Sequence, residues 1–219
     1  MLDDLPRADL GTHWDSAYVR RGGAGVSWYQ ESPQTSVQLI SALDLPLDAA
    51  IIDVGCGTST LTDHLVREGR TDLTALDISE AALRTAKARI GDSTAVAWLH
   101  EDLLCWRPSR LYDLWHDRAV FHFLVNRVDQ EAYLAKLHSA LDPAGCVIIG
   151  VFAPDGPEQC SGLPVSRYSS DALADLLGQK FDVVETRREG HRTPAGTYQP
   201  FVWLAARRHS ARPGDSSAS

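Results

Sequence analysis

Residues 51–57, Ile-Ile-Asp-Val-Gly-Cys-Gly, form an apolar run with an acid at Asp53, followed by two glycines, Gly55 and Gly57. The pattern of residues 58–68 that follows is typical of a helix. A buried strand that stops at a glycine turn before a helix is typical of open α/β sheets, where ligands bind just beyond the carboxyl ends of the strands. The segment therefore predicts a ligand-binding turn made of Asp53, Gly55, Cys56 and Gly57.

The acid in front of the glycines indicates the charge of the ligand. A dinucleotide-binding turn has the pattern Gly-x-Gly-x-x-Gly, but this chain has Thr60 in place of the third glycine and Asp53 two residues before the first. A carboxylate repels a phosphate and attracts an ammonium group. We therefore expect a cofactor with a positive amino group and no phosphate, and S-adenosylmethionine meets both conditions.

At this turn the chain resembles the class I S-adenosylmethionine-dependent methyltransferases, whose first motif is a strand ending in acid-x-Gly-x-Gly. The resemblance extends over residues 12–208 and is to the small bacterial members. It implies that S-adenosylmethionine is the cofactor and S-adenosylhomocysteine the product. It also implies a Rossmann-like fold in which one strand of a seven-stranded sheet is reversed.

Two later strand ends supply further acids for the same cofactor. Asp77 follows the glycine turn by about 20 residues, where a carboxylate accepts hydrogen bonds from ribose hydroxyls, and Ile78 would lie against the adenine. Asp102 follows the next strand and is placed to accept a bond from the adenine amino group, with Leu103 beside it. Each acid alone is equally well explained as a helix N-cap or a turn residue. Three acids at successive strand ends favour the cofactor site.

Strands and helices alternate along the chain, which predicts a doubly wound, mostly parallel sheet in a single α/β domain whose last strand is antiparallel. We expect an N-terminal lid rich in aromatic residues and glycine, with a helix, at 1–45, a methyltransferase core at 46–208 and a disordered tail at 209–219. The predicted strands are 50–54, 71–77, 95–100, 112–116, 146–152, 181–187 and 201–206, and the predicted helices are 36–43, 58–68, 79–90, 130–141 and 170–177.

Composition argues against several classes of function. The formal net charge is −8 and no basic stripe is present, which argues against general nucleic-acid binding and against an anionic membrane surface. No membrane span and no secretory signal are evident in the sequence, so we expect a cytoplasmic protein. The cysteines, at 56, 105, 146 and 160, lack zinc-ligand spacing, and we expect neither a metal nor disulfide bonds.

Aromatic residues near the N-terminus are candidates for closing the cofactor site. Trp28 and Tyr29 either contact the cofactor sulfonium through their ring faces or cover the edge of the sheet. The glycines within residues 22–25 are candidates for the hinge of a lid.

The segment after the fourth strand faces the transferred methyl group in the methyltransferases that this chain resembles. We predict Asp117 and His122 as catalytic acid–base groups, with His116 as a further candidate, Asp117 also beside the cofactor, and Arg118 and His122 in contact with the substrate. The alternative is that Asp117 caps a helix and His122 is a buried structural histidine. Methyl transfer depends mainly on alignment, and it needs a base only for an acceptor that is protonated at neutral pH.

We expect the loop at 153–168 to line the pocket as well, because long loops at the carboxyl ends of strands are often functional. Cys160 would contact a soft element and Arg167 an anionic group, with Tyr168 as a further substrate residue. The alternative is that the loop merely covers the sheet.

These observations favour methyl transfer to a small-molecule acceptor by a monomer or homodimer. Two more local similarities exist. His191-x-Thr193 with the final Ala-Arg-Arg is similar to the tellurite-resistance branch, and Trp14-Asp15 with Trp28-Tyr29 is similar to protein-lysine methyltransferases. The alternatives are a protein methyltransferase of the lysine type, a non-catalytic cofactor-binding regulator, and an NAD-linked reductase.

Overall fold

The computed structural model describes residues 7–209 and contains one large sheet with helices packed against it. Two short strands within the loop after the fifth long strand form a separate hairpin. The strands are β1 (Ile51–Val54), β2 (Leu73–Asp77), β3 (Val96–His100), β4 (Tyr112–Arg118), β5 (Leu141–Phe152), β6 (Gln159–Cys160), β7 (Leu163–Pro164), β8 (Phe181–Arg192) and β9 (Tyr198–Arg208).

The large sheet has seven strands in the order β3-β2-β1-β4-β5-β9-β8. The strands from β3 to β5 pair in parallel, and β9 is antiparallel to both of its neighbours, β5 and β8. The prediction of a seven-stranded, mostly parallel sheet with the last strand reversed is confirmed.

Helices cover both faces of this sheet, which explains why β1 and β2 are buried along their whole length. Successive residues of β5 point to opposite faces: Ile149 packs in one core with Leu137, and Ile148 packs in the other with Leu39 and Leu65. The helices are α1 (Arg7–Arg21), α2 (Gln34–Ala42), α3 (Leu61–Arg67), α4 (Glu80–Ile90), α5 (Arg127–Ala140) and α6 (Ser170–Leu177), with a 3₁₀ turn at Phe121–Phe123.

The structure differs from the predicted elements mainly at the two ends of the fold. Helix α1 was not predicted, because its sequence contains Gly11 and no sustained apolar stripe. Residues 142–145, which separate the predicted helix at 130–141 from the predicted strand at 146–152, lie inside β5, where the pairing with β4 shifts register. The β8–β9 hairpin is longer than predicted and closes through a bond from the Thr193 amide to the Thr197 carbonyl. Residues 210–219, where the sequence predicts a disordered tail, lie outside the described residues.

The strand order indicates where in the sheet a ligand site is expected. Chain direction across the sheet reverses between β1 and β4, and ligands in open α/β sheets bind at such a switch point, at the carboxyl ends of the strands. Asp53, Asp77 and Asp117 all lie at this edge of the sheet. In the described part of the chain, no helix has both the length and the apolar character that crossing a membrane requires.

Candidate functional site

The turn after β1 depends on its two glycines. Gly55 and Gly57 have φ angles of 63° and 53°, in the left-handed region that glycine adopts without strain. A Cβ added at Gly55 would lie 2.0 Å from Cγ2 of Val120, and one at Gly57 would lie 2.3 Å from the Tyr18 hydroxyl. The missing side chains therefore let two residues from elsewhere in the fold approach the turn.

Asp77 joins the ends of β1 and β2. Its Oδ2 accepts a bond from the Gly57 amide at 2.7 Å, and its Oδ1 accepts one from the Ser79 amide at 2.7 Å. Burial raises the pKa of Asp77 to about 6 despite these donors. The carboxylate fixes the glycine turn and also lines the main cavity beside Ile78.

Asp102 starts the turn that follows β3. Its Oδ1 accepts a bond from the Leu104 amide at 2.9 Å, and its backbone carbonyl accepts bonds from the amides of Cys105 and Trp106. These are the contacts of a turn residue. Asp102 and Leu103 nevertheless both line the main cavity, so the turn presents them to a ligand.

Asp53 has a histidine as its partner on the neighbouring strand. His116 Nδ1 lies 2.7 Å from Asp53 Oδ1, and His116 Nε2 lies 3.0 Å from the Ser36 hydroxyl on α2. The other oxygen, Oδ2, is buried and has no hydrogen-bond partner in the structure. Asp53, Cys56 and His116 line a small cavity of about 40 Å³ next to the main one, and Tyr29 lines it as well.

The main cavity measures about 300 Å³ and runs from the ends of β2 and β3 to the loop after β5. Three walls contribute to it. The first comprises Asp77, Ile78, Glu101, Asp102 and Leu103, the second Arg118, Val120, Phe123, Cys160 and Leu163, and the third Trp14, Tyr18 and Trp28.

The third wall is an aromatic cluster carried by α1 and the loop after it. Trp14 packs edge-to-face on Trp28 and on Phe123, with ring centroids 5.5 Å and 5.0 Å apart. Trp28 Nε1 donates to the Tyr18 hydroxyl at 3.1 Å. Asp15 anchors the helix, because it accepts bonds from the Ser79 hydroxyl at 2.6 Å and the Ala81 amide at 3.0 Å at the start of α4.

Asp117 lies beneath the pocket and lines neither cavity. Its Oδ1 accepts a bond from the Val120 amide at 2.9 Å, and its Oδ2 accepts bonds from the Phe121 amide at 3.1 Å and the Tyr133 hydroxyl at 2.7 Å. Burial raises the pKa of this carboxyl to about 6. These contacts hold the turn that carries Val120 against Gly55.

His122 is fully buried and also lies outside the cavity lining. Its ring packs against Phe123 and Phe152, with centroids 4.5 Å and 4.6 Å away, and neither ring nitrogen has a hydrogen-bond partner in the structure. Burial, and then the charge of Arg118, lower the pKa of His122 to about 3. The imidazole is therefore neutral at neutral pH.

Arg118 lines both cavities. Its Nη1 donates to the Trp28 carbonyl at 2.8 Å, and its Cζ lies 4.9 Å from the centroid of the Phe201 ring. Nε and Nη2 are buried without a partner in the structure. Burial lowers the pKa of Arg118, but a guanidinium stays charged in proteins.

The residues predicted in the 153–168 loop separate into two groups. Cys160 is buried and lines the main cavity with Arg118. Arg167 instead pairs with Glu158 at 3.0 Å and donates to the Gly156 carbonyl. Tyr168 packs on Phe121 and bonds to Gln130. Neither Arg167 nor Tyr168 lines either cavity.

Sequence reasoning did not select several residues of the site. Tyr18, Val120 and Phe123 line the main cavity, and Ser36 supports His116. The spacing of Trp14 and Tyr18 by one helical turn was a signal for α1, since residues four apart share a helix face. Nothing in the sequence around Ser36 distinguishes it from other helical serines.

Residues 51–145 match the model of a family described as a methyltransferase domain. The chain is 28% identical over 202 residues to trans-aconitate 2-methyltransferase of Acidovorax sp.. This match covers 90% of this chain and 73% of that protein. It is 29% identical over 167 residues to EEF1A lysine methyltransferase 2 of Danio rerio, covering 67% of this chain and 71% of that protein.

A third relative is malonyl-[acyl-carrier protein] O-methyltransferase 1 of Ilyobacter polytropus, 32% identical over 103 residues, or 47% of this chain. The chain spans only 37% of the length of that relative.

Among solved structures, the fold is similar to that of 1,6-didemethyltoxoflavin-N1-methyltransferase from Burkholderia thailandensis, crystallised with bound 1,6-didemethyltoxoflavin and S-adenosylhomocysteine. The TM-score is 0.71 at 23% identity, over 94% of this chain and 93% of that one. The glycine turn, the acids at the strand ends and the reversed last strand agree with these matches. These matches and the site together support a class I S-adenosylmethionine-dependent methyltransferase.

Proposed function

We propose that this protein transfers a methyl group from S-adenosylmethionine to a small-molecule acceptor. One observation carries the proposal: a single cavity of about 300 Å³ connects the acidic ends of β2 and β3 with Arg118 and Cys160 on the opposite side. The first end suits an adenosine and the second an acceptor. A volume of this size suits ligands of low molecular mass.

The cofactor would lie across the glycine turn. Asp77 and Asp102 would accept bonds from its ribose and adenine, with Ile78 and Leu103 packed against the base. The unpartnered Oδ2 of Asp53 would accept a bond from the amino group, which removes the cost of a buried acceptor without a donor. Trp28 lines both cavities and Tyr29 lines the small one, and the sulfonium end of the cofactor would lie near them.

In this proposal, Asp117 and His122 contribute by holding the residues around them in place. Three hydrogen bonds already occupy Asp117, and a buried imidazole with a pKa of about 3 is a weak base. In-line methyl transfer gains most of its rate from alignment. A catalytic role for either side chain stays a prediction.

Methylation of a protein lysine is the second candidate, because a lysine methyltransferase is among the relatives. Arg118 is an observation against it, since a guanidinium at the acceptor end repels an approaching lysine ammonium. The two relatives named for trans-aconitate and for a malonyl group act on molecules that carry carboxylates, and these support a small acid as acceptor. We also propose a cytoplasmic monomer or homodimer without nucleic-acid or membrane partners, in keeping with the net charge of −8.

The experiment uses S-adenosylmethionine with a labelled methyl group, the purified protein, and a cell extract separated by size. We expect label in the low-mass fraction together with formation of S-adenosylhomocysteine. Label confined to the protein fraction would identify a protein methyltransferase. Tight cofactor binding with no turnover in either fraction would identify a cofactor-binding regulator, and calorimetric binding of NAD instead of S-adenosylmethionine would indicate a reductase.

A further inference from the structure

We infer that Arg118 binds a carboxylate of the methyl acceptor, so that the substrate is a small carboxylic acid held by this group and methylated at another. The inference rests on the proposed function and names the substrate class of its site.

The nitrogens that Arg118 leaves without partners form one side of its guanidinium. Nη1 donates to the Trp28 carbonyl, whereas Nε and Nη2 are buried and have no hydrogen-bond partner among the described residues. These two nitrogens make the parallel pair of bonds by which arginine binds a carboxylate. Arg89 shows the same arrangement in this protein, since its Nε and Nη2 each lie 2.6 Å from one oxygen of Asp63.

The two nearby acids whose charges act on Arg118, Glu189 and Asp53, have hydrogen bonds to other donors. Glu189 accepts one bond from Gln30 at 2.6 Å and another from Trp203 at 2.7 Å. Asp53 Oδ1 is bonded to His116, and Asp53 Oδ2 has no hydrogen-bond partner among the described residues. Among the described residues Arg118 has no ion pair, although it is packed on the Phe201 ring. A buried cation without a paired anion is costly, and an anionic ligand would offset that cost.

Charge is also unevenly distributed along the main cavity. The ionised side chains that line it outside Arg118 are acids: Asp77, Glu101, Asp102 and Asp129. In the part of the chain that the structure describes, Arg118 is the one cationic side chain in this lining. His122, next to it in the fold, is neutral because burial and the arginine lower its pKa to about 3. An acid would therefore bind with its carboxylate at Arg118, away from the acidic adenosine end.

The carboxylate serves as an anchor and not as the reacting atom. A guanidinium that shares its charge with an oxygen makes that oxygen a poorer nucleophile, so the methyl group goes to a different atom of the same molecule. Anchoring at a second point is how alignment for in-line transfer is achieved.

The test measures binding to protein loaded with S-adenosylhomocysteine, by calorimetry, using a panel of carboxylic acids of low molecular mass and their matched amides. The variants are Arg118→Met, Arg118→Lys, and the exposed control Arg127→Met on α5. We expect some acids to bind and their amides not to bind. We expect Arg118→Met to weaken acid binding at least about tenfold, Arg118→Lys to restore it in part because it keeps the charge without the paired donors, and Arg127→Met to bind as the parent does.

Three results would overturn the inference. One is equal binding of the acids by the parent and Arg118→Met, and another is binding of no acid by a protein that does bind S-adenosylhomocysteine. The third is weaker binding of S-adenosylhomocysteine by Arg118→Met with unchanged binding of 5′-methylthioadenosine, which would assign Arg118 to the carboxylate of the cofactor. Loss of the proposed function itself would look different, because the parent protein would then bind no S-adenosylhomocysteine. If Arg118→Met fails to fold, Arg118→Lys and the acid–amide comparison on the parent protein decide the question.

Discussion

Asp53 and His116 lie opposite each other in the parallel pair β1–β4, and their side chains meet at 2.7 Å between Oδ1 and Nδ1. Ser36 lies 3.0 Å from the second ring nitrogen, so the histidine is held from both sides. The consequence is that Asp53 cannot rotate freely, and its unpartnered Oδ2 keeps one orientation beside the small cavity. In the proposed function, the histidine would act on the cofactor through the Asp53 carboxylate.

We predict that His116→Phe lowers affinity for S-adenosylhomocysteine about tenfold, because an unsupported Asp53 no longer presents Oδ2 to the amino group. Binding of 5′-methylthioadenosine, which lacks the amino-acid part, should not change. Calorimetry with both ligands measures the difference. His64→Phe, at a partly exposed histidine on α3, is the control. Equal losses for both ligands would mean that His116 only maintains the fold.

Asp77→Ala tests the adenosine end of the site. Loss of a buried hydrogen-bond partner should weaken binding of S-adenosylhomocysteine by about 1–3 kcal/mol. Part of this loss comes from the glycine turn, since Asp77 also accepts the Gly57 amide bond. Asp77→Asn keeps one acceptor oxygen and should lose less. The exposed Asp92→Ala provides the baseline, and a dissociation constant for Asp77→Ala equal to that baseline would contradict the ribose assignment.

The same carboxyl gives cofactor binding a pH dependence. The pKa of Asp77 is raised by burial to about 6 in the unliganded protein, and the protonated acid accepts fewer bonds from ribose hydroxyls. Affinity for S-adenosylhomocysteine should therefore fall as the pH drops below about 6. Titrations of the parent and of Asp77→Asn across this range measure the effect. The variant should lack the step, and an identical step in both would assign it to another group.

The sheet and the first three strand ends could be predicted because their signals are local. Apolar runs in β1 and β2 end in Asp53 and Asp77, and the glycines between them require a turn. Parallel strands place such ends at one edge of the sheet whatever the exact pairing. The fold class follows from the alternation alone.

The contacts that give the site its chemistry are not local. The bond between Asp53 and His116 depends on the register of β1 against β4, which the sequence does not state. The unpartnered nitrogens of Arg118 depend on Glu189 being bonded to Gln30 and Trp203. Asp117 was predicted as a catalytic group or as a helix cap, and the three donors around it, which the sequence does not reveal, come from Val120, Phe121 and Tyr133.

Asp117 provides a prediction about stability. Its pKa is about 6 in the folded protein against an ordinary value of 3.8, so the folded state binds this proton more tightly than the unfolded chain. Acidification through this range therefore stabilises the folded parent protein relative to Asp117→Asn, by up to about 3 kcal/mol. Urea denaturation at about pH 7 and about pH 4.5 measures the difference between the two proteins. A parent protein that loses stability relative to Asp117→Asn on acidification would contradict the prediction.

Gly55 provides a test of how the turn is built. A Cβ at this position meets two obstacles: a φ of 63° and Cγ2 of Val120 at 2.0 Å. The first costs about 1–2 kcal/mol for an L-residue, and the second adds about 1–3 kcal/mol of overpacking. Gly55→Ala should therefore lower the free energy of unfolding by more than Gly69→Ala, whose φ is 86° but whose added Cβ would have no atom within 4 Å.

Combining Gly55→Ala with Val120→Ala separates the two costs, because Val120→Ala removes Cγ2 while its Cβ stays 3.5 Å away in ordinary contact. The double variant should regain the overpacking part and keep the backbone part, so the two substitutions couple favourably in a double-mutant cycle. The difference between Gly55→Ala and the double variant, compared with the cost of Val120→Ala alone, gives the coupling. If the two changes in the free energy of unfolding simply add, the Val120 side chain moves away from an added Cβ at little cost. The turn would then have room for a ligand without the exact packing that Asp117 maintains through the Val120 amide.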